Sequence, residues 1–316
     1  MELVPGSERI VASALSDPVR GKVRWSPAKS LWIGSMSGAA LVLCPLFFTW
    51  GALLLFLATC GVTLCAGHSV GMHRRLIHNS FDCPLWLEYG CVYLGVLVGM
   101  AGPIGMIRIH DMRDWAQRQP ACHDYFAHRA GLLRDGWHQL HCTLHLDRPP
   151  EFRLEPRLAG DPVYAFLERS CMAQQLPWAA LFFALGGIPW LVWGICARVA
   201  VCVTGHWLVG HFAHREGGQS WRVEGACVQG YDVRIAGFIS MGESWHNNHH
   251  AFPGSAKLGL EPGQVDLGWA LLRLFERLGL AWNVVLPEHL PARPALRRLV
   301  PRGGGCPVIA RLWARS

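Results

Sequence analysis

Histidines crowd into a few short stretches of this 316-residue chain. The densest is Trp245-His-Asn-Asn-His-His250, with three histidines in five consecutive residues. An unperturbed imidazole titrates at about pH 6.5, and three protonated rings at this spacing repel one another. A metal ion resolves the conflict because it binds neutral imidazole. Three further histidine stretches begin at His73, His110 and His206. The sequence therefore predicts a metal centre built from four separate parts of the chain.

The spacing and number of these histidines suit two metal ions. Side chains three or four residues apart lie on one face of a helix. His246 can therefore share an ion with His249 or His250. In the same way, His211 can share an ion with His214. Imidazole suits iron, copper and zinc, and carboxylates join imidazole at non-haem iron sites. The candidates exceed the four ligands of a typical zinc site, which favours a dimetal centre.

Charged residues are missing from two long segments, which indicates helices that span a membrane. No Asp, Glu, Lys or Arg occurs from Ser30 to Met72, a run of 43 residues. A single helix of that length measures about 64 Å, roughly twice the hydrocarbon core of a bilayer. A second run, Ser170 to His214, carries such a charge only at Arg198. We predict four transmembrane helices, at about residues 30–48, 51–71, 170–186 and 189–211.

Basic residues indicate the orientation of these spans. The tips of the two predicted helical hairpins carry no Lys or Arg, whereas the N-terminal segment, residues 108–157 and the C-terminal tail are rich in Arg. The positive-inside rule places these three regions, and with them both termini and every histidine stretch, in the cytoplasm. The net charge of +7 thus reflects topology and contact with membrane lipid. No basic stripe alternates with base-stacking aromatic residues, so nucleic acid is not an expected partner.

Residues 89–107 are apolar, but a fifth span there would put His73 and His110 on opposite sides of the membrane. Basic flanks on both sides and the Gly102-Pro103 pair instead favour a helix that enters the membrane and returns. The predicted fold is an all-α membrane protein with four transmembrane helices, a re-entrant or interfacial helix and a cytoplasmic helical cap that carries a histidine-rich dimetal site. It comprises a cytoplasmic N-terminal segment (residues 1–29), a membrane domain (30–290) and a basic tail (291–316).

Two motifs resemble the histidine boxes of the membrane fatty acid desaturases, in particular the acyl-coenzyme A desaturases. His73-Arg-Arg-Leu-Ile-His78, followed by Asn79-Ser-Phe81, is similar to the first box. Gly242-Glu-Ser-Trp-His-Asn-Asn-His-His-Ala-Phe-Pro253 is similar to the third box. Asp161-Pro-Val163 and the stretch from Arg198 through Trp207-Leu-Val209 to His214 match as well. The resemblance covers roughly residues 30–290.

The resemblance implies an O₂-dependent di-iron desaturase that introduces a double bond into a fatty acyl chain carried by coenzyme A or a lipid. O₂ is reduced to water with electrons from a separate ferredoxin, rubredoxin or cytochrome b5. The alternatives are a lipid hydroxylase or ketolase on the same scaffold and a catalytically impaired, metal-binding homologue. The family pattern implies no catalytic residue beyond the metal ligands. It makes seven histidines ligands: His73, His78, His110, His214, His246, His249 and His250.

The chain departs from the family pattern in two places: at two positions of the second box and at Gly210. The second box of the family is HxxHH, whereas this chain reads His110-Asp-Met-Arg-Asp114. Arg113 cannot bind a cation because its guanidinium is always protonated, but Asp114 can act as an anionic ligand. Gly210 stands where the family has an asparagine, with His211 beside it. We favour the hypothesis that Asp114, His211 or the His123-x₄-His128 motif completes the ligand set; the competing hypothesis is that the second metal is lost.

Residues next to the ligands complete the predicted site. Four are predicted to orient the ligands through hydrogen bonds: Arg113, Glu243, Asn247 and Asn248. Three aromatic residues are predicted to line the acyl tunnel: Trp115, Trp207 and Trp245. Four arginines are predicted to form a basic cytoplasmic surface for an acidic electron carrier or an acyl-carrier phosphate: Arg74, Arg75, Arg118 and Arg129.

Overall fold

The computed structural model describes residues 9–299, which are mostly helical. The longer helices are α1 (Pro27–Leu46), α2 (Trp50–Ile77), α3 (Leu85–Val96), α4 (Pro103–Arg118), α6 (Leu132–His141), α8 (Pro162–Ser170), α9 (Gln175–Ala213) and α11 (Leu267–Arg277). Shorter helices of four to six residues lie between them: α5 (Asp124–Ala127), α7 (Pro156–Ala159) and α10 (His246–Ala251). The part of α2 from Thr63 to Ile77 has π-helical hydrogen bonding, which widens the helix where it carries histidines.

Three helices among residues 9–299 are long and apolar enough to cross a membrane: α1, α2 and α9, with 20, 28 and 39 residues. Helix α9 is not straight, because Gly187 interrupts it with φ 62° and ψ −154°. A Cβ atom added to Gly194 would lie 2.6 Å from the ring of Phe182. Twelve residues of straight helix cover about 18 Å, so the chain must reverse at Gly187. The reversal falls between the third and fourth predicted spans, residues 170–186 and 189–211.

The arms of α9 pack against α1 and α2. Trp193 donates a hydrogen bond from Nε1 to the carbonyl oxygen of Cys44 in α1, over 3.3 Å. The same indole meets the ring of Phe56 in α2 edge-on, with centroids 5.8 Å apart. Further along, the sulfur atoms of Cys60 and Cys202 lie 3.6 Å apart. The three apolar helices therefore form one bundle.

The apolar segment at residues 89–107 is divided between two helices. Helix α3 has 12 residues, about 18 Å, which is too short to cross a hydrocarbon core of about 30 Å. The chain turns after it, with Gly99 at φ 89°, and α4 begins at Pro103. The break therefore falls at the glycine- and proline-containing stretch where the sequence favours one, and α4 then carries His110 away from it.

Helices α2 and α3 are in unusually close contact, and this contact fixes the end of α2 that bears His73. A Cβ atom on Gly71 would lie 2.5 Å from the backbone carbon of Cys91, and one on Gly67 would lie 2.4 Å from the backbone nitrogen of Gly95. Glycine permits such a backbone approach, as it does between membrane helices in general. On the adjoining side, Met72 and Leu76 pack into an apolar core that includes residues of α3, α4 and α8.

We expect Gly71→Ala to destabilise the protein by about 1–3 kcal/mol, because the new methyl group overlaps backbone that cannot move without separating α2 from α3. Gly61→Ala is the matched control in the same helix, since nothing lies within 4 Å of its added Cβ atom. Thermal unfolding in detergent measures both. A Gly71→Ala variant as stable as Gly61→Ala would contradict the close packing of α2 against α3.

Three short two-stranded ribbons are a feature that the all-α prediction did not include. Each is antiparallel: β1 (Ile10–Val11) with β4 (Glu151–Phe152), β2 (Gly21–Trp25) with β3 (Cys142–Leu146), and β5 (Trp221–Val223) with β6 (Leu296–Arg298). The strands have two to five residues, too few for alternation along the sequence to identify them. Two of the ribbons attach the N-terminal segment to the chain around residues 142–152, next to the histidine-bearing helices.

Candidate metal centre

Four histidines, two from the end of α2 and one each from α4 and α10, meet in one buried group. His73 lies near the end of α2, His78 follows that helix, His110 lies in α4 and His249 in α10. One ring nitrogen of each lies within 4.8 Å of those of the other three. The Nε2 atoms of His73 and His78 are 3.2 Å apart. We call these residues the first histidine group; all four match ligand positions expected from the sequence.

Carboxylates orient two members of the first histidine group. His73 Nδ1 lies 2.5 Å from Oε2 of Glu243. His110 Nδ1 lies 3.3 Å from Oδ1 of Asp111. A carboxylate beside Nδ1 keeps the proton on that atom and leaves the Nε2 lone pair free, which is the usual arrangement around metal-bound histidine. Glu243 is itself anchored, because it accepts hydrogen bonds from Ser69 Oγ (2.5 Å) and Arg74 Nη1 (2.7 Å).

The other two members are held in the neutral form by their surroundings. Burial, followed by the neighbouring histidines, lowers the pKa of His78 and of His249 well below the ordinary value. Among the described residues, the Nδ1 atoms of both rings are buried without a hydrogen-bond partner. Unpaired polar atoms in a buried site are costly unless an unseen ligand compensates them. Four converging imidazoles, two of them kept neutral by burial, fit a metal ion.

A second histidine group comprises His214, which follows α9, and His246 and His250 from α10. The Nε2 atom of His246 lies 3.0 Å from that of His214 and 3.1 Å from that of His250. His214 donates from Nδ1 to the carbonyl oxygen of Gly210 (2.6 Å), so its Nε2 atom carries a lone pair. Ligands bound at about 2.1 Å and roughly perpendicular to one another are separated by about 3 Å, so this spacing also fits one ion.

The two histidine groups adjoin each other. The ring of His249 lies 5.3 Å from that of His246 and 5.9 Å from that of His250, measured between centroids. Burial lowers the pKa of His214 and His246 well below the ordinary value, and the neighbouring histidines add to the effect. Two adjacent sites rich in neutral imidazole are therefore present, one with four candidate ligands and one with three.

Asp114 faces the second histidine group but lies outside its tight cluster. Its Oδ2 atom accepts a hydrogen bond from Arg118 (2.8 Å). Burial acts to raise the pKa of this carboxyl, but His110 and Arg118 outweigh it and hold the pKa well below the usual range. Asp114 is thus an anion near His110, His246 and His250. Its role as a ligand stays a prediction.

The structure brings His211 into a different set, with His128 and Asp135, beside the second histidine group. The Nδ1 atoms of both histidines lie 2.8 Å from Oδ2 of Asp135. Arg113 Nη1 donates to Nε2 of His128 (3.0 Å), and because guanidinium has only donors, His128 must carry its proton on Nδ1. A protonated Nδ1 atom cannot bind an ion next to Asp135. This set is therefore a hydrogen-bonded network rather than a third metal site.

Other predicted site residues have varied surroundings. Glu243 contacts a histidine as expected, whereas Asn247 bonds to the backbone of Ser220, Trp221 and Gly230. Asn248 donates to Leu258 and Gln264. These two amides brace the chain around α10 rather than the rings.

The three predicted tunnel tryptophans also differ in their environments. Trp207 donates from Nε1 to Asp135 (2.9 Å), and Trp245 donates from Nε1 to the carbonyl oxygen of Val265 (2.7 Å). Trp115 packs against an apolar cluster around Ala116 and Phe126. Their part in a tunnel stays a prediction.

The predicted basic surface is partly wrong. Arg74 and Arg75 are buried, because Arg74 pairs with Glu243 and Asp266 and Arg75 pairs with Glu88. Arg118 pairs with Asp114, and Arg129 alone of the four is largely exposed. The first two arginines therefore stabilise the interior beside the first histidine group and are not free to bind a partner.

Sequence reasoning also missed the acidic residues that orient the rings. Asp111 neighbours His110 in sequence and could have been found, but its contact with Arg9 (3.2 Å) spans 102 residues. Asp135 and His211 are 76 residues apart in the sequence, and no local sequence pattern predicts their contact.

Comparison with known proteins gives a consistent result. No family model matches the chain. The chain is 35% identical over 265 residues to the sn-1 stearoyl-lipid 9-desaturase of Anabaena variabilis, covering 81% of this chain and 92% of that protein. It is 31% identical over 277 residues to the sn-2 palmitoyl-lipid 9-desaturase of Nostoc sp. (strain 36), covering 85% and 93%. It is 31% identical over 268 residues to an acyl-CoA 5-desaturase of Anemone leveillei, covering 81% and 79%.

These relatives are oxidoreductases, and the positions that resemble their family's histidine boxes are the ones that converge in the two histidine groups. The chain belongs to the fatty acid desaturase family.

Proposed function

We propose that this protein is an O₂-dependent desaturase that introduces a double bond into a fatty acyl chain at a centre of two non-haem iron ions. The observation that carries the proposal is the pair of adjoining histidine groups, in which rings oriented by carboxylates or a carbonyl oxygen converge. In the proposed ligand set, the first ion takes His73, His78, His110 and His249. The second takes His214, His246 and His250, with Asp114 as a further ligand.

Each part of the chain has a distinct task in this proposal. The iron ions, when bound, supply the activation of O₂ that an unactivated C–H bond requires. Glu243, Asp111 and the carbonyl oxygen of Gly210 hold ring protons on Nδ1, so that each Nε2 faces inward. Burial of both groups excludes bulk water and favours the neutral form of His78, His249, His214, His246 and His250. Electrons come from a separate carrier, a ferredoxin, rubredoxin or cytochrome b5.

The proposed topology has four membrane crossings, with both termini and the metal centre in the cytoplasm. Helix α9 reverses at Gly187, and the two crossings are proposed to run over residues 170–186, which begin before α9, and 189–211. The start of α1 is tied to residues near the metal centre, since Lys29 donates to Cys142 and the backbone of Ser26 donates to His141. Helix α3 is the proposed re-entrant element. The basic residues on this side agree with a cytoplasmic orientation.

The carrier of the acyl chain is proposed to bind at a surface pocket of about 620 Å³. Arg129 and Arg134 contribute cationic groups to its lining, and Trp25 and Trp137 contribute exposed aromatic rings. The neighbouring Leu132 and Leu133 are exposed as well, in a position suited to the membrane surface. Guanidinium groups favour phosphate, so the pocket suits a phosphate-bearing carrier.

We expect the Arg129→Ala/Arg134→Ala variant to raise KM for a phosphate-bearing acyl substrate while kcat at saturation is unchanged. Two exposed charge contacts of about 0.5–1 kcal/mol each correspond to roughly 5- to 30-fold in KM, and salt should weaken the effect in the parent protein. Arg153→Ala is the control, since that exposed arginine pairs only with nearby Glu151 in the structure. An unchanged KM for both phospholipid and acyl-coenzyme A would contradict this placement of the carrier.

The iron content per polypeptide, followed by product analysis, tests the proposed function. Protein produced with added iron and purified in mild detergent is expected to hold close to two irons and, with a reductase and an electron carrier, to form a double bond. A hydroxylated product would reassign the reaction. If the purified protein bound no iron, the proposed function would be wrong.

A further inference from the structure

The buried network beside the second histidine group is built around one carboxylate. Asp135 in α6 has one oxygen atom, Oδ2, within 2.8–2.9 Å of three nitrogen donors. They are Nδ1 of His128, Nδ1 of His211 and Nε1 of Trp207. Burial acts to raise the pKa of Asp135, but these hydrogen bonds hold it well below the usual range. Asp135 is therefore an anion. It is buried together with its two histidine partners, since His128, Asp135 and His211 are at most 3% exposed.

Arg113 closes the network on its other side. Its Nη1 atom donates to Nε2 of His128 (3.0 Å), and its Nη2 atom donates to Oε1 of Gln139 (2.8 Å). The guanidinium is thereby directed towards α5 and α6, with its charge balanced by Asp135 through the His128 ring. Because a guanidinium has only donors, Nε2 of His128 accepts from Arg113 and the ring carries its proton on Nδ1, towards Asp135. The order of proton donors, from Arg113 through His128 to Asp135, is thus fixed.

The network touches a member of the second histidine group. The ring of His128 stacks on that of His214, with centroids 5.2 Å apart and planes inclined by 9°. His214 is held at its opposite end by the carbonyl oxygen of Gly210. The backbone of His128 is in the left-handed region, at φ 50°, a conformation that non-glycine residues adopt only when their surroundings impose it. Arg215 contributes to that by donating to the carbonyl oxygen of His128 (3.1 Å).

Gly210 explains how the network fits. A Cβ atom at this position would already lie 3.6 Å from Nε2 of His128 and 3.9 Å from Nη1 of Arg113. A longer polar side chain, such as the asparagine expected from the family pattern, would enter the space that these two groups occupy. Two of the residues that depart from the pattern, Arg113 and Gly210, are therefore adjacent parts of one arrangement.

We propose that Arg113, His128, Asp135 and His211 form a clamp that positions His214 for the second metal ion, in place of the histidine that the second box lacks at position 113. The clamp directs the Arg113 cation away from the ion and keeps the His128 ring stacked on the His214 ring. Asp135 fixes the tautomers of His128 and His211. This inference rests on the proposed function, and its members are positioning residues rather than ligands.

Asp135→Asn tests the clamp, because an amide keeps the shape but cannot accept all three N–H groups on one oxygen. We expect iron to fall from two to close to one per polypeptide, with one of two iron signals lost from the Mössbauer spectrum and the other kept. The affinity of the second site should fall roughly 10- to 100-fold. Asp161→Asn is the matched control: this carboxylate caps α8 and accepts from Tyr89 (2.6 Å), away from both histidine groups. It should retain two irons.

The dependence on Arg113 is tested in a double-mutant cycle. Arg113→His removes the cation that the clamp restrains and returns a histidine to the second box. Asp135→Asn should therefore cost much less iron in the Arg113→His background than in the parent, as expected for coupled positions. An equal loss in both backgrounds, or two irons retained in Asp135→Asn itself, would overturn the clamp. A parent protein without iron would instead overturn the proposed function, so the two failures are distinguishable.

Discussion

Glu243→Gln is expected to lower iron binding at the first histidine group, and desaturase activity with it, by roughly 10- to 100-fold, the usual cost of losing a residue that orients a metal-bound histidine. The carboxylate lies 2.5 Å from His73 Nδ1 and accepts from Arg74 and Ser69. Burial acts to raise the pKa of Glu243, but His73 and Arg74 hold it well below the ordinary value, so it is charged. The neutral amide of Gln cannot accept hydrogen bonds from the Arg74 cation and from the His73 N–H group at the same time.

The same substitution is expected to reduce stability. Arg74 is almost fully buried and balanced by two carboxylates, Glu243 and Asp266, 2.7 and 2.8 Å away. Breaking a buried ion pair by removing one partner costs about 3–5 kcal/mol, and the remaining Asp266 should keep the loss towards the lower end. Iron per polypeptide, turnover and thermal unfolding should all be measured, since iron loss without gross unfolding identifies the orienting role.

Glu276→Gln is the matched control for this experiment. Glu276 pairs with Arg273 on the exposed side of α11, and exposed ion pairs contribute only about 0–1 kcal/mol. The control should retain iron, activity and stability. If Glu243→Gln behaved like Glu276→Gln, the proton on His73 would have to be fixed by some other group, and Glu243 would not be the residue that orients the first histidine group.

Local sequence was sufficient for those parts of the site whose residues are close together in the chain. His246 and His250 lie one helical turn apart, and four-residue spacing predicts that they can share an ion; His249 lies in the same turn but belongs to the first histidine group. The reversal in α9 also has a local cause, because Gly187 adopts a positive φ that few other residues tolerate and Pro189 follows it. The charge-free runs also predicted the apolar helices from local sequence, because the bilayer requires nearly every residue of a span to be uncharged.

Long-range electrostatic partners could not be predicted, because nothing local encodes them. Arg74 and Arg75 look like surface charge in a basic motif, yet both are buried: Arg74 pairs with Asp266 from a distant segment, and Arg75 pairs with Glu88 in the next helix. Arg113 looks like a defect in a ligand set until His128 and Asp135 appear beside it. In each case the sequence shows a charged residue, but its partner comes close only in the folded protein. The charge of a motif therefore does not reveal whether its side chains are exposed to solvent or buried in ion pairs.

Asp114→Ala is expected to abolish binding of the second iron and all desaturase activity, because it removes the anion that faces His246 and His250. The second histidine group has three rings, one fewer than the first, so that its ion depends more strongly on any further ligand. Asp114 is held charged by His110 and Arg118, although it is buried, which suits a ligand to a cation. Loss of the second ion should leave the first in place, since His73, His78, His110 and His249 are unchanged.

Asp114→His separates loss of a ligand from loss of a charge. It restores the residue type that the family pattern has at this position, so we expect it to retain close to two irons and measurable activity, whereas Asp114→Ala retains one iron and none of the activity. Glu224→Ala is the matched control, because Glu224 is an exposed carboxylate paired with Arg297. Full activity and two irons in Asp114→Ala would mean that the second ion is completed by another group, and His211, whose Nε2 atom carries no proton when Nδ1 donates to Asp135, would then be the residue to substitute next.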